Sequence, residues 1–182
     1  QIAAWQDAGV DLPVSVNISG FHLQQAGFLD ELRALLAAHP NVPRGYLELE
    51  VLESSALEDI ALVSAVIDAS ATLGVSFALD DFGTGYSSLT YLKRLPAQVL
   101  KIDQSFVRGA AMKGNRNAAI ISSIVSLANA LGMDTTAEGV ETHDELELVR
   151  SLGCSQIQGF IYGKGASAEE VARGFADNGV LP

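Results

Sequence analysis

Short apolar segments alternate with longer segments of helical periodicity along the whole chain. Apolar runs with alternation or β-branched residues predict six strands, at 13–18, 46–52, 75–79, 98–102, 133–137 and 155–158. Apolar positions three and four apart predict helices between them, at 21–39, 56–73, 87–95, 118–131, 142–152 and 167–175. The last two helices each open with a capping box, Thr142 with Glu145 and Ser167 with Glu170.

This strand–helix repetition predicts a parallel sheet with helical connections, which is an α/β fold. The first strand is not followed by the glycine-rich fingerprint of a dinucleotide-binding domain. Two arrangements remain open at this point, a doubly wound sheet and a closed (β/α) barrel. They differ in whether the carboxyl ends of the strands spread along an edge or converge.

Each predicted strand ends in a polar or charged side chain after an apolar run. These residues are Asn17, Glu50, Asp80 with Asp81, Lys101 with Asp103, Glu138 and Gln158. In a (β/α) barrel all of them would meet on one face, where the active sites of such barrels lie. One arrangement therefore explains all six strand ends. The sequence favours a TIM-type barrel, of which about six βα units lie in this chain.

The residue types at these ends predict a site for hard divalent cations. Carboxylates and an amide oxygen suit Mg²⁺, Mn²⁺ or Ca²⁺ better than zinc or copper, and the predicted ligands are Asn17, Glu50, Asp80, Asp81 and Glu138. So many acids would repel one another without cations. Two bound ions with Lys101 nearby suit phosphodiester hydrolysis, because the ions activate water and Lys101 stabilises negative charge or holds that water.

Each of these residues also has a structural explanation. A single strand-end Asp or Asn often forms a turn or caps a helix. Lys101 could form an ion pair with Asp103 or Asp81, and Glu48, on the same strand face as Glu50, is interpreted as structural. The acidic pair is harder to explain in this way, because it follows a buried strand and enters a glycine-rich loop.

Composition narrows the classes of partner. The chain has 22 acidic residues against 11 lysines and arginines, which argues against binding a DNA or RNA duplex. Cys154 is the only cysteine, so no intrachain disulfide is expected. The sequence shows no membrane-spanning run and no signal-peptide pattern, so we expect a cytoplasmic domain, whose parent protein can still be anchored through an upstream segment. The first six residues resemble the middle of a helix and are interpreted as a fragment boundary.

Several motifs, in order, resemble the EAL domain family of cyclic di-GMP phosphodiesterases. They are Val14-Ser15-Val16-Asn17-Ile18-Ser19, Leu49-Glu50-Val51-Leu52-Glu53-Ser54, Asp80-Asp81-Phe82-Gly83-Thr84-Gly85, Leu100-Lys101-Ile102-Asp103, Ala137-Glu138-Gly139-Val140-Glu141-Thr142 and Gln158-Gly159-Phe160. The resemblance implies hydrolysis of cyclic di-GMP to linear pGpG with two ions of Mg²⁺ or Mn²⁺.

The resemblance also implies a role for each matching residue. Asn17, Glu50, Asp80, Asp81 and Glu138 match metal ligands, with Asp81 shared between two ions. Lys101 matches the lysine that positions the attacking water, so that Lys101, Glu138 and Asp81 are the expected catalytic residues. Gln158 and Asp103 are expected to bind substrate. Glu53 matches the acid that braces the loop 82–88.

One departure leaves the function of this chain open. The family begins with two strands, the second of which carries the Glu-Ala-Leu motif, and nothing here corresponds to them. Residues 1–182 are therefore expected to form a single EAL-type domain that is incomplete at its N-terminus. The alternative to a phosphodiesterase is a receptor that binds cyclic di-GMP without turnover. The resemblance also makes a homodimer possible, and an upstream diguanylate-cyclase-like or sensory domain in the parent protein. No pattern in this sequence supports either expectation.

Overall fold

The computed structural model describes residues 1–57, 59–84, 89–112 and 114–178. The strands are β1 (Val14–Asn17), β2 (Leu47–Leu52), β3 (Ser76–Phe82), β4 (Val99–Ile102), β5 (Asp134–Ala137) and β6 (Gln156–Ile157). The helices are α1 (Ile2–Asp7), α2 (Gly20–Leu23), α3 (Phe28–Ala38), α4 (Glu53–Ala56), α5 (Ile60–Leu73), α6 (Leu89–Leu92), α7 (Gln104–Val107), α8 (Asn117–Leu131), α9 (His143–Ser151) and α10 (Ala168–Asn178).

The six strands form one sheet in the order β1-β2-β3-β4-β5-β6, and every neighbouring pair is parallel. A doubly wound sheet reverses its strand order at a switch point, whereas this sheet follows chain order throughout. The strands form a half-barrel, which confirms the predicted fold class and its six βα units. The carboxyl ends of all six strands therefore lie on the same side.

The hydrophobic core lies between the convex face of the sheet and the helices. Successive side chains of a strand point to opposite faces, and the core cluster takes alternate residues, such as Phe77 and Leu79 of β3. These residues pack with helical residues such as Ile67 of α5 and Ile121 of α8, all of them fully or almost fully buried. The other strand face, which includes Glu50 and Lys101, is left for polar side chains.

Two of the predicted helices are interrupted in the structure. The segment 21–39 divides into α2 and α3, and the segment 56–73 begins a new helix at Ile60 because Asp59 accepts a hydrogen bond from the Leu62 N–H at 3.1 Å. Such a side-chain cap satisfies an N–H that has no partner inside the helix. The predicted helix 87–95 is represented by α6, while residues 87 and 88 lie outside the described residues. The short helix α7 was not predicted.

Helix α8 is the longest helix of the described ranges at 15 residues. Among the residues that the structure describes, no helix combines the length and the apolar character needed to cross a bilayer.

Candidate functional site

A buried lysine stands at the centre of the carboxyl end of the sheet. Lys101 lies on β4 with 3% of its surface exposed. Its Nζ lies 2.7 Å from Glu50 Oε2, 3.1 Å from Asp80 Oδ1 and 2.7 Å from Glu138 Oε1. One N–H of this ammonium group donates a hydrogen bond to Glu50, and all three carboxylates lie within ion-pair distance of the Nζ.

The three carboxylates come from three different strands. Glu50 lies on β2, Asp80 on β3, and Glu138 directly follows β5, where its N–H donates to Ile102 O at 3.1 Å. Parallel pairing places these strand ends next to one another because the connecting helices return the chain to the same side each time. The contacts of Lys101 are therefore formed by the sheet as a whole. The alternative pairing of Lys101 with Asp103 or Asp81 is not what the structure shows.

A β-bulge distinguishes the end of β3 from the other strands. Leu79 is opposite Leu100 and Phe82 is opposite Ile102, so that two residues, Asp80 and Asp81, face the single position between them on β4. Asp81 has a φ of 55°, which is uncommon for a residue other than glycine. The prediction that this pair follows the strand was wrong, because β3 runs through both residues. A bulge re-aims side chains and so allows successive carboxylates to serve one site.

Burial and like charge raise the pKa of two acids in this cluster, Asp81 and Glu138. Burial raises the pKa of Asp81, and the charges of Asp80 and Asp103 raise it further. Burial likewise raises the pKa of Glu138, although the hydrogen bond from Lys101 opposes this effect. Burial lowers the pKa of Lys101, but its hydrogen bonds to Glu138 and Glu50 more than compensate, so its pKa lies above the ordinary value. Lys101 is therefore charged, whereas the surroundings of Asp81 and Glu138 disfavour their negative charge.

The donor set fits a divalent cation. One carboxylate oxygen from each of Asp80, Asp81 and Glu138 can be chosen so that all three lie within 4.8 Å of one another. Hard oxygen donors of this kind suit Mg²⁺ and Mn²⁺. The raised pKa values of Asp81 and Glu138 also show that added positive charge would be favourable there.

The other predicted site residues lie around this cluster. Asn17 is the exposed last residue of β1 and is paired with Glu50 across the β1–β2 ladder. Asp103 follows β4 and caps α7 by accepting a hydrogen bond from the Ser105 N–H at 3.0 Å. Gln158 follows β6 and is exposed beside Glu138.

Glu53 is the buried first residue of α4, and its Oε2 accepts a hydrogen bond from the Gly83 N–H at 3.1 Å. Burial raises the pKa of Glu53. The contact reaches the start of the predicted loop 82–88, of which residues 85–88 lie outside the described residues.

The family model described as the EAL domain matches residues 1–165. The chain belongs to the EAL domain family. MucR of Pseudomonas aeruginosa, named a bifunctional diguanylate cyclase/cyclic di-GMP phosphodiesterase, is 42% identical over 172 residues, which are 94% of this chain and 25% of MucR. The cyclic di-GMP phosphodiesterase PdeR of Escherichia coli is 37% identical over 164 residues, which are 90% of this chain and 24% of PdeR. The chain thus spans about a quarter of the length of these curated relatives.

Solved structures of EAL domains have the same fold. The EAL domain of Mycobacterium smegmatis DcpA matches with a TM-score of 0.91 and 33% identity, covering 100% of this chain and 81% of that one. The phosphodiesterase of MucR in complex with c-di-GMP matches with a TM-score of 0.84 and 41% identity, covering 92% of this chain and 68% of that one.

Two residues around the site of this EAL domain were not predicted from the sequence. Arg108 and Glu141 form an ion pair of 3.0 Å and line a cavity of about 210 Å³ that also touches Glu138 and Gln158. Both belong to segments that follow strands, but neither is a strand-end residue. The signal that could have found Glu141 is its place directly before the capping residue Thr142, in the same loop as Glu138.

Proposed function

We propose that this EAL domain hydrolyses cyclic di-GMP to linear pGpG and uses two ions of Mg²⁺ or Mn²⁺. The names of the relatives support the reaction, and the solved MucR complex supports cyclic di-GMP as the ligand. The single observation that carries the proposal is the buried Lys101 surrounded by carboxylates at the carboxyl end of the half-barrel. Such a cluster combines cation ligands with a fixed positive charge, as phosphodiester hydrolysis requires.

Five residues would hold the ions, namely Asn17, Glu50, Asp80, Asp81 and Glu138. Bound ions would bind phosphate oxygens, lower the pKa of a water molecule and neutralise the leaving oxygen. Asp81 is the candidate for a ligand shared by both ions, because the bulge turns it and Asp80 towards the same site.

Lys101 would position the attacking water and stabilise negative charge on the phosphate. Three carboxylates surround the Nζ of Lys101 within ion-pair distance, so one of them would withdraw to make room for a water molecule. The contact with Asp80 is the longest of the three at 3.1 Å and is the first candidate. Gln158, exposed beside Glu138, and Asp103, two residues after Lys101, would contact the substrate.

The test is turnover of cyclic di-GMP by the natural protein that carries this sequence, followed as pGpG by chromatography with Mg²⁺, Mn²⁺ or Ca²⁺. Glu50→Gln should abolish turnover, because it removes a carboxylate that contacts Lys101. Glu48→Gln is the matched control, since Glu48 lies on the same strand and strand face but accepts its hydrogen bond from Ser15 Oγ at 2.8 Å. Turnover should persist in this control.

Two outcomes would change the proposal. Binding of cyclic di-GMP without any pGpG would indicate a receptor in place of a phosphodiesterase. Equal turnover by Glu50→Gln and wild type would show that the cluster around Lys101 is not the catalytic site. The homodimer and the upstream diguanylate-cyclase-like domain remain further proposals, the second supported by the name of MucR.

A further inference from the structure

Two capping boxes of the same local design differ in what else they contact. In α10, the Ser167 N–H donates to Glu170 Oε2 at 2.8 Å and the Glu170 N–H donates to Ser167 Oγ at 3.2 Å, and both side chains are exposed. In α9, Thr142 and Glu145 form the same reciprocal pair. Glu145, however, is only 7% exposed. Capping alone does not require a buried carboxylate.

The buried carboxylate of Glu145 joins two separate segments of the chain. Its Oε2 accepts hydrogen bonds from the N–H groups of Glu141 and Thr142, both at 3.1 Å. Its Oε1 accepts a hydrogen bond at 2.8 Å from the N–H of Gly109, which is 36 residues away in sequence. These hydrogen bonds hold the pKa of Glu145 below its ordinary value even though burial opposes the shift. The fold therefore favours the charged carboxylate form of Glu145.

The two joined segments lead directly to two of the site residues. The segment 103–109 follows β4, the strand that carries Lys101. The loop 138–142 follows β5 and begins with Glu138, whose Oε1 lies 2.7 Å from Lys101 Nζ. At the surface, the ion pair between Arg108 and Glu141 makes a second link between the same segments, but it is half exposed, and exposed ion pairs contribute little.

The loop 138–142 is also held by close backbone packing, which leaves little room for it to adjust. A Cβ on Gly139 would lie 2.5 Å from Gln104 Cβ, and a Cβ on Gly159 would lie 2.0 Å from Val140 O. The loop is thus in contact with α7 on one side and with the chain after β6 on the other. If the hydrogen bonds of Glu145 changed, the end of the loop at Thr142 would shift. Because the tightly packed loop cannot absorb that shift internally, the position of Glu138 would change as well.

We propose that Glu145 is a positioning residue, which fixes the loop 138–142 against the segment 103–109 so that Glu138 meets Lys101 and the metal site keeps its shape. This proposal rests on the proposed function. A carboxylate can accept from donors on both sides, whereas a glutamine side chain has one acceptor oxygen and an NH₂ group. In Glu145→Gln, the NH₂ group must therefore face either the Gly109 N–H or the pair of N–H groups at the start of α9.

The test compares Glu145→Gln with two control variants in the natural protein that carries this sequence. Thr142→Ala removes the side chain that caps α9 but leaves the bridge from Glu145 to Gly109. Glu170→Gln alters the acceptor of the Ser167 N–H in the second capping box. The first readout is Mn²⁺ affinity without substrate, measured by electron paramagnetic resonance. The second is kcat and KM for cyclic di-GMP, and thermal unfolding confirms that each variant is folded.

Glu145→Gln should weaken Mn²⁺ binding about tenfold and lower kcat/KM by a similar factor, in line with the effect of residues that orient metal ligands. The loss in kcat/KM should appear in kcat at saturating Mn²⁺, because a misplaced Glu138 affects the reaction more than substrate binding. Thr142→Ala and Glu170→Gln should remain within twofold of wild type in both readouts.

Two results would overturn the proposal. One is a Glu145→Gln variant with wild-type Mn²⁺ affinity and wild-type kcat/KM. The other is an equal loss in Thr142→Ala, which would mean that Glu145 acts only as a helix cap. If the wild type binds Mn²⁺ but releases no pGpG, the proposed reaction fails, and the Mn²⁺ measurement still decides the role of Glu145.

Discussion

The two ends of the same six strands handle charge in opposite ways. At the amino ends, Asp11 precedes β1 and accepts hydrogen bonds from the Tyr46 hydroxyl and the Gln6 amide, all on the exposed surface. At the carboxyl ends, Lys101 and Glu50 are buried, and one ammonium group serves three carboxylates. Charge at the amino end is thus solvated and locally satisfied, whereas charge at the carboxyl end is crowded and buried.

This difference appears in the pKa values. Hydrogen bonds from Gln6 and Tyr46 lower the pKa of Asp11, which indicates that its charged form is favoured in the fold. Burial and neighbouring acids raise the pKa of Asp81, which indicates that its charged form is disfavoured. Charges that the fold disfavours, such as that of Asp81, are typical of functional sites. Charges that the fold favours, such as that of Asp11, are typical of the supporting scaffold. The carboxyl end is therefore the end where added cations should stabilise the protein.

The largest effect is expected for Lys101→Met. The variant removes the one cation that three buried carboxylates share, and breaking a buried ion pair by removing one partner typically costs about 3–5 kcal/mol. Urea denaturation in EDTA should show a loss of this size, and turnover should disappear. Because Mn²⁺ can replace part of the missing charge, the loss should shrink when Mn²⁺ is added. A variant as stable as wild type in EDTA would contradict the view that Lys101 holds the carboxyl end together.

The next effect is expected for Asp81→Asn, which should separate activity from stability. Asparagine tolerates a positive φ, and the change removes a negative charge beside Asp80 and Asp103. Turnover should fall at least about 100-fold, since even groups that only orient metal ligands cost 10–100-fold. Metal-free stability should equal that of wild type or exceed it, because burial and neighbouring acids disfavour the charged form of Asp81.

Asp11→Asn at the amino end is the matched control for Asp81→Asn. This variant should keep wild-type turnover and lose stability. The charged carboxylate of Asp11 stabilises the fold through its hydrogen bonds, whereas the charge of Asp81 does not. Urea denaturation in EDTA and chromatography of pGpG measure both quantities. If Asp81→Asn lost stability as Asp11→Asn does, the negative charge would be favourable at both ends of the sheet, and the contrast between the two ends would be wrong.

The sequence predicted the strands well because their burial follows a local rule. Alternation of apolar residues marks the convex face of β2 and β3, and every predicted strand overlaps an observed one. The order of the strands follows chain order, so the ends of β2, β3, β4 and β5 bring Glu50, Asp80, Lys101 and Glu138 together. The position of Lys101 in an apolar strand was visible in the sequence, but its three partners come from other strands, and their distances depend on how the sheet curves.

The bulge in β3 and the helix interruptions were not predictable in the same way. A positive φ at Asp81 is imposed by the β3–β4 pairing, because aspartate has no strong preference for that conformation. The break before α5 depends on Asp59 acting as a cap, and an Asp within an apolar pattern is equally compatible with an exposed helical position. Both capping boxes were recognised, whereas the contact from Glu145 to Gly109 joins parts of the chain that only the fold brings together.

The smallest effect is the difference in how the two ends respond to pH in the metal-free protein. The folded pKa of Asp81 is raised above its ordinary value of 3.8, so the folded state binds this proton more tightly than the unfolded state. The protein therefore loses stability as the pH rises from 3.8 to the folded pKa. The folded pKa of Asp11 is lowered from 3.8, so its contribution is present above that value and is lost as the pH falls.

Urea midpoints measured in EDTA across this pH range should therefore move in opposite directions for the two variants. Relative to wild type, Asp81→Asn should gain stability as the pH rises above 3.8, because it no longer has to lose a proton in a buried site. Below 3.8, Asp11→Asn should fall behind wild type as the pH rises towards that value, because wild-type Asp11 becomes charged there in the folded state. Differences of the same sign for both variants would mean that the two ends of the sheet share one electrostatic environment, and the placement of the cation site would then need another explanation.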